Sequence, residues 1–129
     1  MSNPIHQTIL FKSSPHEVYE ALMDSKKHTL FSGSQARISR RVNGSIMAYD
    51  GYIRGKNIEL IPDQRIVQDW RAVDWPEGYF SQVTFEISAT PQGTRLEFTH
   101  VNLPEGSEAE FTQGWIDNYW EPMKKFLEK

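Results

Sequence analysis

The four histidines, His6, His16, His28 and His100, are the side chains best suited to move a proton or bind a metal near neutral pH. No two of them stand four residues apart, and no HExxH occurs, so the pattern of a zinc enzyme is missing. The chain has no cysteine, which excludes thiol nucleophiles, cysteine-based zinc sites and disulfides. His16 and His28 fall on polar parts of helix-like segments and are expected in solvent. His100 continues the apolar face of Leu96 and Phe98. It is expected to point inward, either as a hydrogen-bonded core histidine or as a polar group that orients a ligand. The serines occupy caps, turns and strands, and no GxSxG is present. Glu59, Glu86, Asp69 and Asp74 read as outward, so a hydrated face explains them better than paired acid–base carboxylates. No glycine-rich phosphate loop follows a strand. An enzyme of cyclase or hydrolase type would have to use His100, with Tyr119 as a weaker partner. Without a catalytic constellation, a non-catalytic binding module is the better reading, and no metal or cofactor is implied.

Two other groups of residues suggest contact with a partner. "ARISRR" places Arg37, Arg40 and Arg41 together, with Lys26 and Lys27 close in sequence. The formal net charge is −3 and no aromatic residues interleave with these cations, so nucleic acid is not the expected partner. A basic edge facing a protein partner, or charges guarding an exposed strand, fits better. The second group is the tip "WPEGY", where Trp75 either folds back onto the domain or projects as a contact point.

These residues need elements to hold them. "IHQTILF" reads as a first strand. Ser14, Pro15 and Glu17 form a capping-box start for a helix ending near Asp24. A second short helix, "SKKHTLF", is stopped by Gly33. "ARISRRV" and "SIMAY" are expected to pair across an Asn43-Gly44 turn. Asp50-Gly51 signals another turn, and Gly55 marks a bulge or kink in "YIRGKNIELI". Pro62-Asp63-Gln64 then turns the chain into "RIVQDWRAVDW". Val83, Phe85 and Ile87 alternate with polar neighbours, with Ser81 and Tyr79 on the apolar side. Tyr79 is therefore expected to cap the end of the sheet over a cavity. After Pro91-Gln92-Gly93 comes a further strand through His100. Ser107 and Glu110 suggest a second capping box, opening a helix of about twenty residues, roughly 30 Å long. Ile116, Trp120, Met123 and Leu127 form one apolar stripe on it, and Phe111, Trp115, Tyr119 and Phe126 another. Pro122 predicts a kink or a weakened turn.

The order of elements gives an α+β fold in which a curved antiparallel sheet packs on the long C-terminal helix. The 129 residues fit one domain, 1–129, and four Trp supply bulk for a core and a ring-lined cavity. The cavity candidates are Trp70, Tyr79, Val83, Phe85, Phe98, His100, Trp115 and Tyr119. No apolar run reaches membrane-spanning length and no signal peptide is evident, so a soluble cytoplasmic protein is expected.

The ordered set "DGYIRGKNIELIPDQRIVQDWR", "DWPEGYFSQVTFE", "GTRLEFTHVNLPE" and "GWIDNYWEPMKKFLE" resembles the activator of heat shock protein 90 ATPase homologue family, specifically its C-terminal domain. "SSPHEVYEALMDSKKHTLFSG" looks like that family's opening helices, so the resemblance covers essentially the whole chain. It implies a helix-grip fold of the START-like superfamily, often with a cavity between sheet and helix. It also implies a chaperone partner. The full activators carry a separate N-terminal domain that contributes strongly to chaperone binding, and 129 residues leave no room for one. A small hydrophobic ligand is therefore expected ahead of a co-chaperone role. The sequence does not fix the oligomeric state.

Overall fold

The alternation of Val83, Phe85 and Ile87 with Gln82, Glu86 and Ser88 forms the longest strand of a computed structural model that describes residues 4–128. This strand, β6 (Ser81–Thr90), sits near the centre of a seven-stranded sheet. The others are β1 (Ile5–Phe11), β2 (Arg37–Ile38), β3 (Ser45–Ala48), β4 (Ile53–Ile61), β5 (Arg65–Ala72) and β7 (Gly93–Val101). Their order is β1-β7-β6-β5-β4-β3-β2, antiparallel throughout. Only β1 is out of sequence: it lies along β7, from Ile5 opposite His100 to Phe11 opposite Thr94. The chain after β1 is tied to the far end of the last helix, because Ser13 Oγ donates to the Leu127 carbonyl (2.9 Å). The Lys12 backbone N–H donates to Glu128 (3.0 Å).

The inner face of the sheet buries Ile9, Ile66, Trp70, Val83, Phe85, Leu96 and Phe98 against the C-terminal helical segment. Helices α1 (Pro15–Met23) and α2 (Ser25–Ser32) complete this layer. The expected capping box opens α1. Ser14 Oγ accepts from the Glu17 backbone N–H (3.2 Å), and the Glu17 carboxylate accepts from the Ser14 N–H (3.1 Å). Ser14→Ala is expected to lower stability by about 1 kcal/mol, read as a shift in the urea midpoint at constant slope. Gly33 ends α2 at φ 77°, as expected. Among the described residues no helix is long and apolar enough to cross a membrane.

Four local expectations are corrected. β2 pairs with β3 as expected, but it is only two residues long, and a wider loop replaces the tight Asn43-Gly44 turn. The buried Asn57 side chain organises this loop by donating to the Ser39 and Arg41 carbonyls (2.7 and 2.9 Å), which draws the backbone away from ladder pairing. Gly55 is not the bulge, which falls between Asn57 and Glu59. A Cβ at Gly55 would lie 1.7 Å from the Asp69 carbonyl oxygen, so glycine is there for the close approach of β5. Ser107 forms no capping box because its hydroxyl donates to Pro104 O (2.6 Å), and α3 (Glu108–Trp115) starts without a side-chain cap.

Pro122 acts one turn upstream. Residues Ile116–Trp120 form a π-helical turn, in which the Glu121 N–H reaches back five residues to the Ile116 carbonyl, and α4 (Glu121–Leu127) follows. Proline has no N–H to give the carbonyl four residues earlier, that of Asn118. That carbonyl accepts the Tyr49 hydroxyl instead.

Candidate functional site

Tyr49 belongs to a tight turn, Tyr49–Gly51, whose three residues all have positive φ (51°, 59° and 96°). Gly51 adopts this freely. For Tyr49 the conformation is strained, and it is held by the hydroxyl contact to the π turn and by Asp50 accepting from the Gln35 N–H (2.7 Å). Between this turn and the C-terminal helix lies a cleft of about 300 Å³, open to solvent on one side. Trp70, Trp115 and Tyr119 form its floor, with ring centroids 4.6–5.9 Å apart. Tyr49, Tyr52 and Phe111 form its walls, and Glu110, Gly114 and Asn118 lie along its helical rim.

Beneath the floor the interior is filled. Trp115 packs on Phe98 at 4.2 Å between ring centroids and stacks on Trp120 at 5.5 Å. The remaining gap near His28 and Tyr119 holds about 10 Å³, too little for a ligand. Of the eight cavity candidates, Trp70, Trp115 and Tyr119 line the cleft. Val83, Phe85, Phe98 and His100 belong to the packed core. Tyr79 does not cap the sheet over the cleft. It leaves the alternation before β6 begins, and its ring lies edge-on to Trp75 at 5.7 Å. Trp75 in turn packs edge-on against Phe111 at 5.6 Å, so it folds back beside the cleft rather than projecting.

His100 is fully buried and both ring nitrogens are engaged. The Trp115 indole N–H donates to Nδ1 (3.0 Å). The ring proton is therefore on Nε2, which donates to Ser81 Oγ (2.7 Å), and the Ser81 hydroxyl donates to the Trp70 carbonyl (2.9 Å). A hydrolase needs the opposite polarity, with the histidine nitrogen accepting the serine proton. The indole donor fixes the wrong tautomer for that chemistry. It also explains why Ser81 stands on the apolar side of β6. Burial holds His100 well below its usual range, to about 3.

His28 is the main correction to the sequence reading. It is buried, at 4 % exposure, while its neighbour Leu30 is 61 % exposed. The Leu22 carbonyl accepts from Nδ1 (3.2 Å), so Nε2 is free to accept the Tyr119 hydroxyl (2.9 Å). Burial lowers His28 to about 4. Tyr119 therefore serves His28 and not His100. A buried phenol needs a partner for its hydroxyl, and that need, applied to the aromatic stripe, is the signal that could have found His28. The missed cleft residues, Tyr49, Tyr52, Phe111 and Gly114, become neighbours through the Tyr49–Gly51 turn, which no periodicity encodes.

The basic edge is plainer. Arg37, Arg40 and Arg41 are exposed around β2, and Arg40 is bound to Glu20 (2.5 Å). His16 is exposed and pairs with Asp63 (2.9 Å). Among the described residues no group of three His, Asp or Glu could hold a metal ion.

Comparison with known proteins fits this geometry. The family described as "Activator of Hsp90 ATPase homolog 1-like protein" matches residues 12–128. Over 124 residues the chain is 27 % identical to activator of 90 kDa heat shock protein ATPase homolog 2 of Mus musculus, covering 96 % of this chain and 38 % of that one. Over 115 residues it is 29 % identical to homolog 1 of Homo sapiens, covering 89 % and 34 %. The chain thus spans about a third of the length of these curated relatives. A crystal structure of an HSP90 activator from Plasmodium falciparum superposes with a TM-score of 0.91 at 27 % identity, covering 97 % of this chain and 96 % of that one.

Proposed function

The chain belongs to the activator of Hsp90 ATPase homolog 1-like family, and on that footing we propose that it is a non-catalytic binding module whose cleft takes a small, largely apolar molecule. The observation that carries this is the cleft itself: about 300 Å³ walled by aromatic rings, beside an interior otherwise filled. That volume stands at the lower end of small-molecule pockets, roughly 300–1,000 Å³. Gly114 supports the same reading. It lies inside a helix, where glycine costs about 1 kcal/mol relative to alanine. A Cβ there would meet nothing nearer than the Asn118 side chain at 3.8 Å. The missing side chain keeps the rim of the cleft open. Gly114→Ala is expected to raise stability by about 0.5–1 kcal/mol in urea unfolding.

Native mass spectrometry of freshly purified protein tests the function. A copurified small molecule is expected, and Gly114→Leu should lose it while keeping the wild-type circular dichroism. The reading fails if no adduct is found and a panel of small apolar compounds leaves the Trp70 and Trp115 indole resonances unmoved.

A second reading rests on the near-complete overlay with the Plasmodium HSP90 activator. On that reading the chain associates with an Hsp90-type chaperone in the cytoplasm, with the exposed Arg37 and Arg41 on a contacting edge. Co-precipitation with such a chaperone, or a change in its ATPase rate, is expected. The absence of both effects would end this reading.

A further inference from the structure

Every ring around the cleft that carries a polar atom has that atom committed elsewhere. The Trp70 indole donates to Gln68 Oε1 (3.2 Å) and the Trp115 indole to His100 (3.0 Å). The Tyr119 hydroxyl donates to His28, Tyr49 to the Asn118 carbonyl and Tyr52 to Asp74. The cleft therefore offers a ligand π-surface and almost no free donor. An anionic headgroup would find only the Asn118 amide at the rim, too little to replace its water.

The charge at the mouth has one sign. Glu110 is the only charged residue lining the cleft among the described residues, and Asp74 sits behind Tyr52. The Tyr52 hydroxyl is pushed above its usual range by burial, then by Asp74 and Glu110. Arg54 and Arg71 are cross-strand partners on the outer face of the sheet, behind the cleft. Both are engaged by backbone carbonyls, Arg54 by Gly51 (3.3 Å) and Arg71 by Trp75 (2.8 Å). Negatively polarised ring faces and a carboxylate at the entrance, with no Lys or Arg among the described lining residues, together select a positive charge on an apolar body.

We propose that the cleft is a site for a small organic cation, a quaternary or alkylated ammonium whose methyl groups lie on the Trp70, Trp115 and Tyr119 rings and whose charge faces Glu110. This rests on the cleft being a ligand site, as argued above. A quaternary ammonium neither donates nor accepts a hydrogen bond, so it needs none of the donors that the walls have committed elsewhere.

The test uses three probes of one shape. These are choline, its neutral carbon isostere with a tert-butyl group in place of trimethylammonium, and tert-butylacetic acid as its anion at neutral pH. Binding is followed through the Trp70 and Trp115 indole N–H resonances. Choline is expected to bind about tenfold tighter than the neutral isostere, the scale of a partly desolvated cation–π contact. The anion should bind weakest. Glu110→Gln, a surface change that leaves the core intact, should weaken choline about threefold and leave the isostere unchanged. If the isostere or the anion binds as tightly as choline, the charge inference is overturned and the cleft remains a ligand site. If Glu110→Gln weakens choline and isostere alike, the inference is also overturned. If none of the three moves either indole, the cation inference is overturned, and the ligand reading is decided separately by the copurified adduct and the wider panel of compounds.

Discussion

Trp115→Ala is expected to cost about 5 kcal/mol, the largest loss from any single side chain in the cleft. Truncating a buried tryptophan costs about 3–5 kcal/mol through lost burial and the cavity left behind. Trp115 is 2 % exposed and packs against Trp70, Phe98, Tyr119 and Trp120. It also supplies the donor that satisfies His100 Nδ1, and an orphaned buried acceptor adds about 1–3 kcal/mol. The total approaches the whole stability of an ordinary domain, about 5–15 kcal/mol. Trp115→Phe separates the two contributions. It keeps much of the ring but removes the N–H, so a loss of about 1–3 kcal/mol is expected from the orphaned His100 and the small void. Urea unfolding followed by circular dichroism checks both. A loss below about 2 kcal/mol for the alanine variant would show that the ring is not what joins sheet and helix.

Mild acid should unfold the protein before most carboxylates titrate. His28 and His100 are held at about 4 and about 3 by burial, below an unfolded value near 6.5. The unfolded chain therefore binds protons that the folded chain refuses. Their stabilisation is complete above about pH 6.5 and is lost as pH falls toward 4 and then 3. Each histidine contributes a slope of about 1.4 kcal/mol per pH unit within its window. Both windows overlap between about pH 6.5 and 4, so the loss there is steep. His28→Gln can replace both hydrogen bonds, donating to Leu22 and accepting from Tyr119, without taking up a proton. It should be less stable at neutral pH yet show about half the slope. A stability profile flat from about pH 6.5 to 4.5 would mean that the two rings titrate normally, against their burial.

The sequence is readable where one residue type has one physical use. Ser14 and Glu17 form their box because nothing nearby competes for the serine oxygen. Ser107 has the same spacing to Glu110, but its hydroxyl is taken by the Pro104 carbonyl, a tertiary fact with no local trace. Period-two alternation places Val83, Phe85 and Ile87 correctly because half-buried strands obey it strictly. His28 defeats the same logic. On a helix of eight residues with few apolar side chains, the inward face is set by what waits beneath it, here the Tyr119 hydroxyl. The cleft was half legible. The floor rings Trp70, Trp115 and Tyr119 follow from strand and helix faces, while Tyr49 and Tyr52 depend on a turn that Asp50-Gly51 signals but whose three successive positive φ values no periodicity encodes.

The pairing of β1 with β7, and the seating of Ser13 on Leu127, have a consequence during synthesis. Of the seven strands of this sheet, the one made first is the last to find its place. Between Phe11 and Thr94 lie more than eighty residues, which a ribosome delivers in about 4–16 s at about 5–20 residues per second. Through that interval Ile5, Ile9 and Phe11 leave the exit tunnel with no sheet edge to join, and the helix that covers them emerges last. Such long-range closure makes for slow folding. It leaves the nascent chain, rather than the finished molecule, as the form most exposed to aggregation.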